Sequence, residues 1–125
     1  VGRFDDIWSG VFLKRAADLM GHHVYNGAPL CEHNKAPRST FDDLNNEVPA
    51  LELNEHVWHI ADGAGADADS YAEAFEAMAD ALVEHDEEYN NAEFLTYVGE
   101  HMRRWLDCLA ALDAEPVEAP AAADD

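Results

Sequence analysis

The chain has 125 residues, room for one domain with one modest core. Its 27 Asp and Glu stand against 7 Lys and Arg, a formal net charge of −20; a surface of that sign repels phosphate backbones and excludes nucleic acid as an expected partner. No apolar run reaches the roughly 18 residues a membrane helix needs, and no charged-then-apolar leader opens the chain, so the expected compartment is the cytoplasm.

The chain opens with Arg3-Phe4-Asp5-Asp6-Ile7-Trp8-Ser9-Gly10. Two adjacent carboxylates here predict a capped helix from Ile7 to Met20, with Asp5 or Asp6 as the cap and Gly21 ending it in a left-handed conformation. Trp8, Val11, Phe12, Ala16 and Leu19 form one apolar stripe; Ile7, Leu13, Ala17 and Met20 form a second. A helix this apolar is expected to be largely buried, between a sheet and other helices. His22 to Tyr25 reads as a strand, Asn26-Gly27 as a turn, and Pro29-Leu30-Cys31 as resumed extended chain. Residues 32–40 form a polar loop, the kind of segment that commonly carries function.

Ser39 or Thr40 caps a short helix from Phe41 to about Glu47, which Pro49 is expected to break. A second short helix is expected from Asn54 to Ala61. Residues 63–69 are Gly, Ala and Asp only, a linker composition. Tyr71, Phe75, Met78 and Leu82 step by four, three and four; Val98, Met102, Trp105, Leu109 and Leu112 step by four, three, four and three. With Asn90-Asn91 between them, these predict an antiparallel helical hairpin. The Pro, Ala and acid tail at 115–125 is expected to be disordered. The expected division is therefore 1–62, a linker at 63–69, a hairpin over 70–114 and the tail. The 27 acids are scattered rather than blocked, which points to a salt-adapted, halophilic surface. Cys31 and Cys108 belong to no CxxC pattern and are expected to be reduced and mostly buried, Cys108 on the apolar side of its helix.

Two places could carry chemistry. Only one of Asp5 and Asp6 is needed as a cap, leaving its neighbour free to act as a general base toward a hydroxyl, with Trp8 beside it as a substrate contact. His33, Lys35 and Arg38 cluster positive charge in a chain with few cations, the arrangement best suited here to a pyrophosphate. His56 and His59, one helical turn apart, lack a converging third ligand and read as surface residues; alternation along a strand sends His22 and His23 to opposite faces. GxSxG, P-loop, GxGxxG and paired CxxC motifs are missing from the sequence, which argues against serine nucleophile chemistry, Walker-type NTP hydrolysis and structural zinc.

Taken in order, Arg3 to Gly10, then Gly21, Val24, Gly27 and Pro29, then His33, Lys35 and Ala36 resemble the C-terminal half of the reversibly glycosylated polypeptides. This is the UDP-arabinopyranose mutase family, also called α-1,4-glucan-protein synthase. Leu44, Asn45 and Glu47 are similar to that family's next short helix, and Tyr71 with the helix after it to its closing helix. The likeness covers about residues 3–85 and does not extend to the helix from Ala92 to Ala114. The resemblance implies an α/β, helix-rich chain, the acceptor-side part of a glycosyltransferase-A-like fold, followed here by the hairpin. It implies work on UDP-arabinose or a similar UDP-sugar, interconverting pyranose and furanose forms with reversible self-glycosylation on an Arg. It implies Asp5 and Asp6 as the acid pair, His33 as the His that helps hold a metal-bound diphosphate, and a divalent metal, Mn²⁺ or Mg²⁺, for the complete enzyme. The strand-borne aspartate motif for that metal does not occur in this sequence, so the chain is expected to be incomplete alone and to pair with a nucleotide-binding half or with further copies of itself. The rival expectations are a non-catalytic helical interaction module and a folded gene remnant.

Overall fold

The computed structural model describes residues 4–32, 34, 39–85 and 91–114. Among these residues there are four helices and no strand: α1 (Asp5–Leu19), α2 (Thr40–Gly63), α3 (Tyr71–Glu84) and α4 (Glu93–Ala114). The helix-rich character expected from the sequence is therefore present, whereas the α/β part of a glycosyltransferase-A-like fold is not seen in the described residues.

The strand expected over His22–Tyr25 does not form. Residues 22–32 have no regular structure and are exposed, with Tyr25 84% and Leu30 100% accessible. A single extended segment has nothing to bond its N–H and C=O groups to unless another strand lies beside it. Local β-propensity alone does not supply that neighbour.

The ends of α1 show which local signals hold. Its N-cap is Phe4, with no side-chain capping bond, so neither Asp5 nor Asp6 is the cap; both lie inside the first turn, where the helix dipole favours them. The other end is as expected. Gly21 sits at φ +69, its N–H donates to Asp18 O (3.0 Å) and the His22 N–H donates to Ala17 O (2.8 Å), the bond pair of a Schellman termination. Trp8, Phe12 and Ala16 are buried, with Val11 and Leu19 packed beside them, but Ile7 and Leu13 of the second stripe are 47% and 60% exposed. Ala17 and Met20 of that second stripe are covered, so with no sheet among the described residues it is buried only at its C-terminal half.

Ser39 caps α2, its Oγ accepting from the Asp42 N–H. Pro49 does not break this helix, and the two short helices expected on either side of it are one helix of 24 residues. An interior proline costs about 3 kcal/mol. Ala50, Leu53, Val57 and Ala61, all at or below 1% exposure, lie in one row after it. Full burial of Leu53 and Val57 contributes about 1.5–3 kcal/mol each, enough to offset the proline.

α3 is the central helix and packs against the other three. Ser70 Oγ accepts from the Glu73 N–H at its start. Its buried residues, Ala74, Met78, Ala79 and Leu82, face α1, α2 and α4. The expected antiparallel hairpin of α3 and α4 is present: Phe75 meets Trp105, Asp80 pairs with Arg103, and Ala79, Leu82 and Val83 lie against Gly99. Gly99 permits α3 and α4 to approach closely, since a Cβ there would lie 2.5 Å from Ala79 O and 2.8 Å from Val83 Cγ2. Asn91, at φ +61, turns the chain into α4. One core draws on all four helices, from Phe4 and Trp8 to Leu95 and Met102. The segment between α2 and α3 is tied to it: Arg15 donates to Ala64 O (3.1 Å) and lies 3.6 Å from Asp62.

Both cysteines are exposed, contrary to the expectation of buried thiols. Cys108 lies on the part of α4 where neighbouring Trp105, Leu109 and Leu112 are also left exposed. The residues 115–125, expected to be disordered, lie outside the described residues. No helix here is long and apolar enough to cross a membrane, among the described residues.

Candidate functional site

α1 and α4 flank α3 on the same side, touching through Trp8 and Phe94 (ring centroids 5.9 Å apart). The space they leave is a groove of about 740 Å³. Phe12 and Ala16 of α1, Tyr71 and Phe75 of α3, and Tyr97 and Trp105 of α4 are among its walls. Its size is that of a small-molecule site. Its chemistry is one-sided, since Asp5 is the one carboxylate on its lining among the described residues.

The acid pair is split by the helix. Successive residues on a helix diverge by about 100°. Asp5 therefore reaches the edge of the groove, while Asp6 does not line it; Asp6 Oδ1 accepts from the Ile7 N–H (2.9 Å). Both carboxylates are exposed. Ser9, one turn on, donates from Oγ to Asp5 O (2.6 Å), which fixes its side chain against α1. Because Trp8 meets Phe94, Asp5 lies at the end of the groove where α4 begins.

Trp8 is 4% exposed, and its Nε1–H donates to Asn54 Oδ1 (3.2 Å), tying α1 to α2. Its rings contribute wall to the groove and mass to the core. His33, Lys35 and Arg38 lie outside the described residues, so the cation cluster and its relation to Asp5 are not part of the described geometry. Among the described residues no three His, Cys, Asp or Glu side chains converge on a point that could hold a metal ion.

Further polar groups at the groove come from residues that the sequence reading had placed in a merely structural hairpin. The His101 Nδ1–H donates to Tyr97 O (2.8 Å), and the two rings lie 3.9 Å apart. Tyr97 stacks on Phe94 (5.8 Å), and the Tyr71 hydroxyl is hydrogen-bonded to His22 Nδ1 (2.6 Å). A signal for them was in the sequence: Phe94, Tyr97, His101 and Trp105 step by three, four and four beside the Val98, Met102, Leu109 row, making α4 apolar over a wider arc than one partner helix covers. His56 and His59 on α2 are half-buried and exposed, respectively, and stand apart from the groove.

The interior of the groove suits carbon better than sugar. A saccharide or nucleotide placed deep in it would leave most hydroxyls facing rings and aliphatic chains, at about 1–3 kcal/mol for each unpaired group. A hydroxylated ligand can be met by Asp5 at the end of the groove and by the polar tips of Tyr71, Tyr97 and His101 on its lining.

A 57-residue stretch of the chain is 33% identical to probable UDP-arabinopyranose mutase 1 of Pisum sativum. That stretch is 46% of this chain and 15% of the pea protein, so the chain covers well under two thirds of that relative's length. No protein-family profile and no solved structure matches the chain.

Proposed function

We propose that this chain is the acceptor-side, C-terminal segment of a UDP-sugar mutase or self-glycosylating glycosyltransferase acting on UDP-arabinose or a similar UDP-sugar. The observation that carries this reading is the 33% identity over 57 residues to a probable UDP-arabinopyranose mutase. The ordered motifs from Arg3 to Ala36 support it. In this reading Asp5, at the open end of the groove, orients or deprotonates a sugar hydroxyl that approaches from solvent. Asp6 supports the start of α1. His33, Lys35 and Arg38 meet the diphosphate, and a separate nucleotide-binding portion supplies the uridine site and the divalent metal.

Isothermal titration with UDP and Mn²⁺, on the chain alone and mixed with the nucleotide-binding portion of the pea relative, tests this. Expected is binding in the mixture that Lys35→Ala with Arg38→Ala weakens. Asp5→Asn should keep that binding and lower ring interconversion by about 10²–10⁴-fold, the usual contribution of a positioned general base. Titrations without heat in both arrangements would overturn the proposal.

A second reading is a non-catalytic helical interaction module. It is favoured by the groove itself, whose walls are almost wholly apolar. In that case UDP binds in neither arrangement, while the apolar groove still has an occupant.

A further inference from the structure

The strongest unused feature of the molecule is the face made by α1 and α4. α4 has 22 residues and α3 has 14, so the C-terminal part of α4 outruns its partner. Trp105, Leu109 and Leu112 there are 54%, 38% and 68% exposed and form a ridge. Trp105 and Leu109 of this ridge are also one wall of the groove between α1 and α4, while Leu112 is not part of its lining. Aromatic rings and Met enriched, and charge depleted, is the composition of the buried centre of a protein interface. In a chain with 27 acidic residues, a lining with Asp5 as its one described carboxylate is a marked exception.

We propose that this face is a two-fold interface between two copies of the chain, the Leu109 and Leu112 ridge of one seated in the groove of the other. Two arguments select a second copy as the occupant. The first is shape: ridge and groove lie side by side on one surface, which is what a self-complementary two-fold contact requires. The second is area. Leu13, Tyr71, Tyr97, Trp105, Leu109 and Leu112 are each between 38% and 68% exposed. At about 150–250 Å² per fully exposed side chain they present roughly 500–700 Å² per copy. The pair then buries roughly 1,000–1,400 Å², at the level a specific interface needs.

Charge gives the proposal a signature. Each copy carries −20, which opposes pairing in dilute salt. The screening length falls from about 10 Å at 0.1 M salt to about 3 Å at 1 M, so the dimer tightens as salt is added. A basic partner drawn by the acidic surface would behave in the opposite way.

Sedimentation equilibrium of the full chain, at about 0.1 M and about 1 M NaCl, tests the proposal. Expected is a monomer–dimer equilibrium at least about tenfold tighter at the higher salt. Leu112→Asp and Tyr97→Asp, at positions exposed in the monomer, should weaken it at least about tenfold with helical circular dichroism unchanged. Leu51→Asp, exposed on α2 and away from this face, should leave it unchanged. A chain that stays monomeric at both salts would overturn the proposal. So would a dimer that loosens with salt, one that survives both variants on the face, or one that Leu51→Asp disrupts equally. None of these measurements involves UDP, so they stand or fall separately from the mutase reading.

Discussion

Trp8 and Trp105 lie on apolar rows of similar spacing and end in opposite environments. Trp8 is 4% exposed, has Phe4 and Phe94 against its rings and bonds Asn54 through its indole N–H. Trp105 is 54% exposed and meets Phe75 edge-on at 5.4 Å. The difference lies in the surroundings. α1 is backed by both α2 and α3. The last turns of α4 run beside the start of α3, which begins only at Tyr71, so they extend past it. Apolar periodicity says that a face needs a cover; it does not say that the same chain provides one.

The sharpest way to break this contrast is Trp8→Ala. It empties a buried site and leaves Asn54 without its donor, and should cost about 3–5 kcal/mol in urea unfolding, enough to abolish folding if total stability is modest. A loss under about 1 kcal/mol would mean that α1 is not anchored as described. Gly99→Ala comes next. The added methyl meets a backbone carbonyl and must push α3 and α4 apart, so a loss of about 1–3 kcal/mol is expected despite the better helix propensity of alanine. A stabilised variant would show that the two helices have room to spare. Asn54→Ala keeps the core volume and removes only the acceptor for the Trp8 indole; about 1–2 kcal/mol should be lost, together with a shift in the buried tryptophan's fluorescence. Trp105→Ala is the smallest. In dilute, low-salt solution, where the chain is alone, about 1 kcal/mol or less is expected from a half-exposed ring. A larger loss there would show that the α4 ridge is already covered within a single copy.

The two halves of the chain differ in how openly they were written. The hairpin was legible because its cues are local: Met78 and Leu82 share a face with Phe75, and Asn91 breaks the chain at a left-handed residue. Gly21 and Ser39 were legible for the same reason, since a turn or a cap is settled within four residues. Pro49, His22–Tyr25 and Cys108 were misread because each depended on a distant neighbour. α2 runs through Pro49 because Leu53 and Val57 find a core beyond it, the segment at 22–25 has no strand beside it among the described residues, and the thiol sits on a helix that outlasts its partner.

The candidate site divides in the same way. That the front acids belong to a helix start was readable from Asp5 and Asp6 themselves. Which of the two faces the groove was not, because it depends on how α1 is rotated against α3 and α4. Tyr97, His101 and Trp105 entered the site only when α4 was seen to lie across from α1.

Residue order along this polypeptide was sufficient to place most helix starts and stops, because capping, dipole and side-chain spacing act over a single turn or two. Packing alone settled which apolar rows were covered, that Pro49 would be absorbed, and that one acid of the pair would meet a groove. These outcomes rest on burial between segments dozens of residues apart, and the free energy of that burial exceeds the local preferences it overrides.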